Sequence, residues 1–211
     1  MIKDAKQHIS TVRRTVGDRL LEAGEARVST ISQVYDTGLD DLWDAVTSPE
    51  RIPRWFLPVS GELREGGRYQ FEGNAGGTIT RCDKPHGLAA TWEYNGDVSW
   101  VEVRLTAEGD RHARLELEHV AHVADEFWEQ FGPGATGIGW DMGLMGLATH
   151  LGDPTAPLDP QVGAAWAASP AGQEFIRLSS DAWAEVAIAY GDDPAVARER
   201  ADRSYAAYTG A

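Results

Sequence analysis

Apolar and polar residues alternate along most of the chain between residues 59 and 122, and glycine-containing turns interrupt the alternation. A spacing of two is typical of a β-strand whose two faces meet different surroundings. Because one face of each segment is apolar, the pattern favours an antiparallel sheet that is solvated on its other face. The predicted strands are 59–64, 68–72, 78–82, 88–94, 98–106 and 111–122. The side chains that fall on the apolar faces include Tyr69, Phe71, Trp92, Tyr94, Val101, Val103, Leu117 and His119.

Helical spacing replaces the alternation on the N-terminal side of this region. A strand is predicted over 28–35, and apolar residues at spacings of three and four predict a short amphipathic helix over 39–46. Ser48 followed by Pro49 predicts an N-cap and the start of a second short helix that runs through Trp55 and Phe56.

A longer helix is predicted after the strands, over 138–151. Its apolar stripe consists of Trp140, Leu144, Leu147 and Leu151. Glycines at 139, 143 and 146 weaken such a helix by roughly 1 kcal/mol each relative to alanine. A helix tolerates this loss where a sheet or a ligand must approach its backbone closely.

Two further helices are predicted beyond a linker at 154–160. Ser169-Pro170 and Asp193-Pro194 each combine an N-cap residue with proline at the first helical position. The first of these helices carries a predicted apolar stripe that consists of Phe175, Leu178, Ala182, Val186 and Ala189.

Residues 1–26 fit two interpretations. The apolar residues from Ile9 to Leu20 keep a 3-4-4 spacing that would form one helical stripe, whereas the β-branched residues between Thr11 and Val16 also suit an extended chain. We interpret the segment as a helical or irregular arm that packs on the main domain.

The order of the elements predicts an α+β fold in which a curved antiparallel sheet grips the long helix. We expect the arm at 1–26, a main domain at 27–153, and a C-terminal helical extension at 154–211 packed on the main domain. The length of 211 residues suits one domain with an extension.

The composition argues against several classes of partner. Nineteen Lys and Arg stand against 33 Asp and Glu, which gives a formal charge of −14. Because a nucleic acid or an anionic membrane surface requires a basic track, neither is an expected partner. The one cysteine, Cys82, excludes an intramolecular disulfide. No apolar run reaches the length of a signal peptide or a membrane span, so we expect no membrane insertion and a cytoplasmic location.

Several short motifs follow one another in a distinctive order between residues 27 and 151. They are Leu42–Glu50, Trp55, Leu63–Tyr69, Gly77, Thr91-Trp92, Leu117–His119 and Gly139-Trp140. In this order and spacing they resemble the SRPBCC or START-like superfamily, and within it the AHSA-type branch, the homologues of the activator of the heat-shock chaperone ATPase.

The resemblance implies the helix-grip (START-like, Bet v-like) fold with a cavity between the long helix and the concave sheet, which holds a small apolar or amphipathic ligand. It implies no universal catalytic residues, so we expect none, and we expect neither a cofactor nor a metal. The side chains expected to line the cavity are Trp55, Tyr69, Phe71, Trp92, Tyr94, Val101, Val103, Leu117, His119, Trp140, Leu144 and Leu147.

Two titratable residues, His119 and Asp141, each have more than one possible role. His119 points away from His112 and His122 by alternation, so three imidazoles do not converge as a zinc site requires. An inward His119 bonds a buried backbone group or a tyrosine, meets a ligand carbonyl, or acts as an acid or base. Asp141 suits the positive end of the long helix, or lies at the mouth of the cavity.

Three functions follow from this sequence. The leading hypothesis is a module that binds a small apolar or amphipathic molecule. The first alternative is a cyclase- or aromatase-type enzyme in which His119 and a tyrosine handle protons. The second is a co-chaperone-like or stress-related role, in which the acidic surface and the helical extension contact a protein partner or a second copy of the chain.

Overall fold

The predicted sequence of strands and helices is largely present in the computed structural model, which describes residues 5–155 and 160–210. The helices are α1 (Ala5–Thr11), α2 (Leu39–Thr47), α3 (Asp125–Phe131), α4 (Gly134–Gly152), α5 (Pro160–Ala168), α6 (Pro170–Tyr190) and α7 (Pro194–Thr209), with a 3₁₀ turn at Ile52–Arg54. The strands are β1 (Arg13–Leu21), β2 (Gly24–Tyr35), β3 (Val59–Gly61), β4 (Arg68–Phe71), β5 (Gly76–Asp83), β6 (Gly87–Tyr94), β7 (Asp97–Ala107) and β8 (Ala113–Ala121). The predicted linker at 154–160 lies mostly outside the described residues.

The strands form one sheet in the order β1-β2-β8-β7-β6-β5-β4-β3. The neighbouring pairs from β3 to β8 are antiparallel. With α4 after the strands and further helices at the C-terminus, the α+β class that the sequence predicts is confirmed.

The chain divides into two compact units. Among the described residues, the first unit comprises 5–31, 122–145 and 160–210, and the second comprises 32–121 and 146–155. Strand β2 and helix α4 contribute residues to both units.

Helix α6 is the centre of the first unit, where it packs against α1, α5, α7 and β1. Its N-cap is as predicted, because Ser169 Oγ accepts a hydrogen bond from the amide of Gly172. The predicted apolar stripe is wrong beyond Phe175, since Leu178 is only half-buried and Ala189 is exposed. The buried face consists of Gly172, Phe175, Ile176, Ser179, Ser180, Trp183, Ala184 and Ala187.

The helical interpretation of residues 12–20 is also wrong. Helix α1 ends at Thr11, and β1 follows over Arg13–Leu21. The β-branched residues of this stretch favour the extended chain that their helical spacing obscured. Leu20, the last member of the proposed stripe, is 80% exposed.

The predicted second short helix is replaced by a turn. Ser48 does not begin a helix but ends α2, because its amide donates to Asp44 O at 2.9 Å. The chain then forms only the 3₁₀ turn at Ile52–Arg54, which includes Pro53. Helices α3 and α5 have no counterpart among the predicted elements.

The second unit fixes the segment around Trp55 by two close contacts. Trp55 Nε1 donates to Ala45 O of α2 at 2.9 Å. A Cβ atom placed on Gly146 of α4 would lie 2.2 Å from Trp55 O, well inside the closest approach of real atoms. The close backbone approach that the helical glycines predicted is therefore present at Gly146.

Substitution Gly146→Ala tests this packing. We expect it to lower the free energy of unfolding by about 1–3 kcal/mol, because the Cβ overlaps backbone atoms that cannot move independently. Gly152→Ala, in the same helix and with no atom within 4 Å of the added Cβ, is the control and should be neutral or stabilising by up to about 1 kcal/mol. Urea unfolding measures both, and equal stability of the two variants would contradict the assignment.

Candidate functional site

A continuous group of aromatic rings lies within the second unit. Trp55 contacts Phe56 with ring centroids 5.6 Å apart, and Phe56 contacts Phe71 edge-on at 5.0 Å. Phe71 also contacts Tyr69 at 5.4 Å and Trp92 at 5.7 Å. These separations are those of favourable aromatic pairs.

Strand register explains why side chains from distant parts of the sequence meet on one side of the sheet. Trp92 lies opposite Ser99 in the pairing of β6 with β7. Val101 lies opposite His119, and Val103 lies opposite Leu117, in the pairing of β7 with β8. Directly opposed residues share a face. We call this side, together with the Trp55 and Phe56 rings that contact Phe71, the ring face. Its residues are Trp55, Phe56, Tyr69, Phe71, Trp92, Ser99, Val101, Val103, Leu117 and His119.

Gly77 lets the ring of Tyr69 reach across the sheet. It lies opposite Tyr69 in β5, and a Cβ on it would lie 2.1 Å from Thr91 O. The Tyr69 hydroxyl donates to the same Thr91 O at 2.7 Å. Burial raises the pKa of this hydroxyl, so it stays protonated and keeps the hydrogen bond.

His119 forms the polar end of the ring group. Its imidazole lies 6.4 Å from the Trp92 ring between centroids, and its Nε2 lies 2.8 Å from Ser99 Oγ. Ser99 Oγ donates its one proton to Trp92 O at 3.0 Å. The hydroxyl therefore accepts at its second contact, which requires His119 to carry its proton on Nε2.

Burial also determines the charge of His119. The side chain is 7% exposed, and desolvation of the charged form lowers its pKa to about 4. At neutral pH the imidazole is uncharged, which makes it a poor general acid. It is suited to holding Ser99 in a fixed orientation among the rings.

The rings are less covered than the aliphatic side chains beside them. Trp55, Phe71 and Trp92 are half-buried, as is Phe56. Side chains of this size normally lose most of their surface in a packed core. Their shared partial exposure marks the ring face as an accessible apolar surface.

The other predicted lining residues have varied positions. Val101 and Leu117 are buried on the ring face, Val103 is half-buried there, and Tyr94 is 49% exposed at the end of β6. Leu147 is fully buried at the end of α4 within the second unit.

Two residues predicted for the same lining, Trp140 and Leu144, belong to α4 in the first unit. Trp140 is half-buried and Leu144 is buried there.

Sequence reasoning missed two residues of this group. Ser99 has the same parity as Val101 and Val103, so strand alternation alone could have placed it on the ring face. Phe56 carries no such signal, because it follows Trp55 in a segment that was interpreted as a helix.

The opposite side of the sheet is charged. Arg104 of β7 forms ion pairs with Glu102 and with Glu116, each at 3.1 Å. Trp100 projects from this side and is 36% exposed. The second unit thus has one polar face and one ring face, as the alternation of the strands predicts.

Asp141 belongs to a separate cluster within the first unit. Its carboxylate is fully buried and receives two hydrogen bonds from Arg14, at 3.1 Å from Nε and 2.5 Å from Nη2. Ser179 Oγ and Trp183 Nε1 donate to it at 2.6 and 3.0 Å. Arg14 is itself anchored, because its Nη1 donates to the carbonyl of Val12. Asp141 therefore connects three elements of the first unit, because α4 is bonded through it to β1 and to α6.

His122 has a backbone carbonyl as its neighbour, and His112 has a carboxylate. Nδ1 of His122 lies 2.9 Å from Glu25 O, and Nε2 of His112 lies 3.5 Å from Asp36. Within the parts of the chain that the structure describes, no three His, Cys, Asp or Glu side chains converge as metal ligands. Within the same residues, no helix is long and apolar enough to cross a membrane.

The fold and the ring face define an α+β protein of the helix-grip class. Residues 36–152, more than half of the chain, match the model of a family described as Activator of Hsp90 ATPase homolog 1-like protein. The chain belongs to this family. The predicted AHSA-type branch is thereby confirmed.

Solved structures agree with this placement. The crystal structure of CalU16 from Micromonospora echinospora is 37% identical, with a TM-score of 0.63 over 83% of this chain and 97% of that chain. The solution NMR structure of CalU16 has a TM-score of 0.67, with the same identity, over 84% and 96%. A conserved protein of unknown function from Enterococcus faecalis, 17% identical over 77% and 92%, shares the fold with a TM-score of 0.55. The comparison with curated proteins finds no match.

The lowered pKa of His119 makes the stability of the protein depend on pH. Because the folded pKa of about 4 lies below the unfolded value of 6.5, the unfolded state binds more protons between these values. Stability therefore falls as the pH falls through this window. His119→Gln keeps an N–H for Ser99 but does not titrate, so we expect it to lose about 2 kcal/mol less between pH 7 and pH 4.5 than the native chain. Urea unfolding at the two pH values measures this difference, and equal losses would contradict the burial of His119.

The Asp141 cluster predicts a large loss of stability on truncation. Asp141→Ala leaves the buried Arg14 without its partner, so we expect a loss of about 3–5 kcal/mol in the free energy of unfolding.

Asp202→Ala is the matched control for the Asp141 variant. It breaks an Arg177–Asp202 pair in which the aspartate side chain is 71% exposed, and it should cost less than about 1 kcal/mol. A loss that small for Asp141→Ala would show that the Asp141 cluster does not stabilise the fold.

Proposed function

We propose that this chain binds a small apolar or amphipathic molecule on the ring face of the second unit. The observation that carries the proposal is the contiguous set of half-buried rings, Trp55, Phe56, Phe71 and Trp92, next to one uncharged polar pair. An apolar surface that holds a few fixed polar groups is the usual chemistry of a small-molecule site.

The geometry supports a preformed site. Trp55 is held through its Nε1 hydrogen bond to Ala45 O, and Tyr69 through its hydroxyl. Each ring also packs against the next, so a flat ligand would meet side chains that have already lost much of their rotamer freedom. Binding to an ordered surface costs less conformational entropy than binding to mobile side chains.

The distribution of charged side chains in the second unit favours an uncharged ligand. The ion pairs of β7 and β8 lie on the charged side of the sheet. On the ring face, His119 is uncharged at neutral pH because burial lowers its pKa to about 4. A formal charge on the ligand would therefore meet no opposite charge among the ring-face residues.

The proposal extends to the predicted domain roles. We propose that the binding surface lies within residues 27–153, and that residues 154–211 have a structural part. The predicted cytoplasmic location accompanies this proposal.

A paired tryptophan substitution tests the site. Trp92 lies on the ring face, whereas Trp100, on the neighbouring strand, projects from the charged side. We expect Trp92→Ala to weaken binding of N-phenyl-1-naphthylamine, a neutral fluorescent aromatic, by roughly tenfold or more, because it removes a large aromatic contact.

Trp100→Ala should leave that affinity within about twofold, since surface changes away from a site have small effects. Fluorescence titration, with circular dichroism to verify folding, measures both variants. Equal losses in the two variants, or no saturable binding by the native chain, would contradict the proposed function.

A further inference from the structure

We infer that the molecule bound on the ring face is a hydroxylated aromatic, such as a phenol or naphthol, whose O–H donates a hydrogen bond to Ser99 Oγ. This inference rests on the proposed function and adds the chemical class of the ligand. It follows from counting the hydrogen-bond donors and acceptors among the rings.

Three donors of the ring group already have acceptors within the protein. The Ser99 hydroxyl donates to Trp92 O, and the Tyr69 hydroxyl donates to Thr91 O. Trp55 Nε1–H donates to a backbone carbonyl of α2. A carbonyl or ether oxygen on a ligand could therefore accept from one of these three groups only if the existing bond were broken.

Ser99 has an acceptor site to offer. A hydroxyl oxygen has two lone pairs, and in the described part of the chain Ser99 Oγ accepts one hydrogen bond, from His119 Nε2. The second lone pair belongs to a half-buried side chain directly opposite Trp92. A donor carried by an aromatic ring would meet this lone pair while its ring packs against Trp92.

His119 fixes the direction of this recognition. Because its pKa is lowered to about 4, the imidazole is neutral and has one ring N–H, which Ser99 accepts. With its own proton committed to Trp92 O, the serine can bind a further group only as an acceptor. The pair therefore selects for a hydrogen-bond donor on the ligand, which the O–H of a hydroxylated aromatic provides.

Equilibrium dialysis of 2-naphthol and 2-methoxynaphthalene tests the inference. The two probes share the fused ring, and only the first has an O–H group. We expect the native chain to bind 2-naphthol more tightly by roughly 2- to 10-fold, the effect of one net hydrogen bond. Equal affinities, or tighter binding of the methyl ether, would overturn the inference while leaving the proposed function standing. Failure of both probes to bind would contradict both.

Variants at one position assign the preference to Ser99. Ser99→Ala should bring the ratio of the two affinities close to one, and Ser99→Thr, which keeps a hydroxyl, should retain the preference. Ser60→Ala, on the exposed part of β3, is the control and should leave the ratio unchanged. A preference that persists in a folded Ser99→Ala protein would overturn the assignment. If that variant does not fold, loss of the preference in Ser99→Thr overturns it.

Discussion

The alternation of side chains across antiparallel strands is the constraint on which this structure depends. In β6, β7 and β8 every second residue points to the same side, and the register brings Trp92, Ser99, Val101 and His119 together there. Arg104, Glu102 and Glu116 occupy the other side of the same strands. A shift of one residue in any of these pairings would place charges among the rings, so the ion pairs and the ring group fix the register jointly.

Two buried polar groups, Asp141 and His119, are stabilised in opposite ways. In the first unit, Asp141 stays next to Arg14 with four hydrogen bonds to its carboxylate, so a buried charge is fully paired. In the second unit, His119 is uncharged at neutral pH, because burial desolvates its charged form and lowers its pKa to about 4. The paired charges of Asp141 and Arg14 hold β1, α4 and α6 together. The neutral His119 leaves an uncharged polar pair with Ser99 on an accessible apolar face, where a ligand can bond to it.

Strand alternation and N-cap signals predicted the parts of the fold that depend on residues close together in the sequence. The strands of the second unit follow from alternation, and the caps at Ser169 and Asp193 follow from short sequence signals. The segment 13–21 was misjudged because its apolar spacing suited a helix, while partner strand β2 and β-branched side chains favour extension. The buried serines of α6 were missed for a related reason. Ser179 is polar and lies off the predicted apolar stripe, and it is buried because it donates a hydrogen bond to Asp141, 38 residues away in the sequence.

The central claim is that ligands meet the ring face, which incorporation of 5-fluorotryptophan followed by fluorine NMR tests most directly. Each tryptophan then reports on its own surroundings during a titration with N-phenyl-1-naphthylamine. We expect shifts for Trp55 and Trp92, and none for Trp183 in the first unit or Trp100 on the charged side. Shifts at Trp183 or Trp100 with an unchanged Trp92 resonance would contradict the claim.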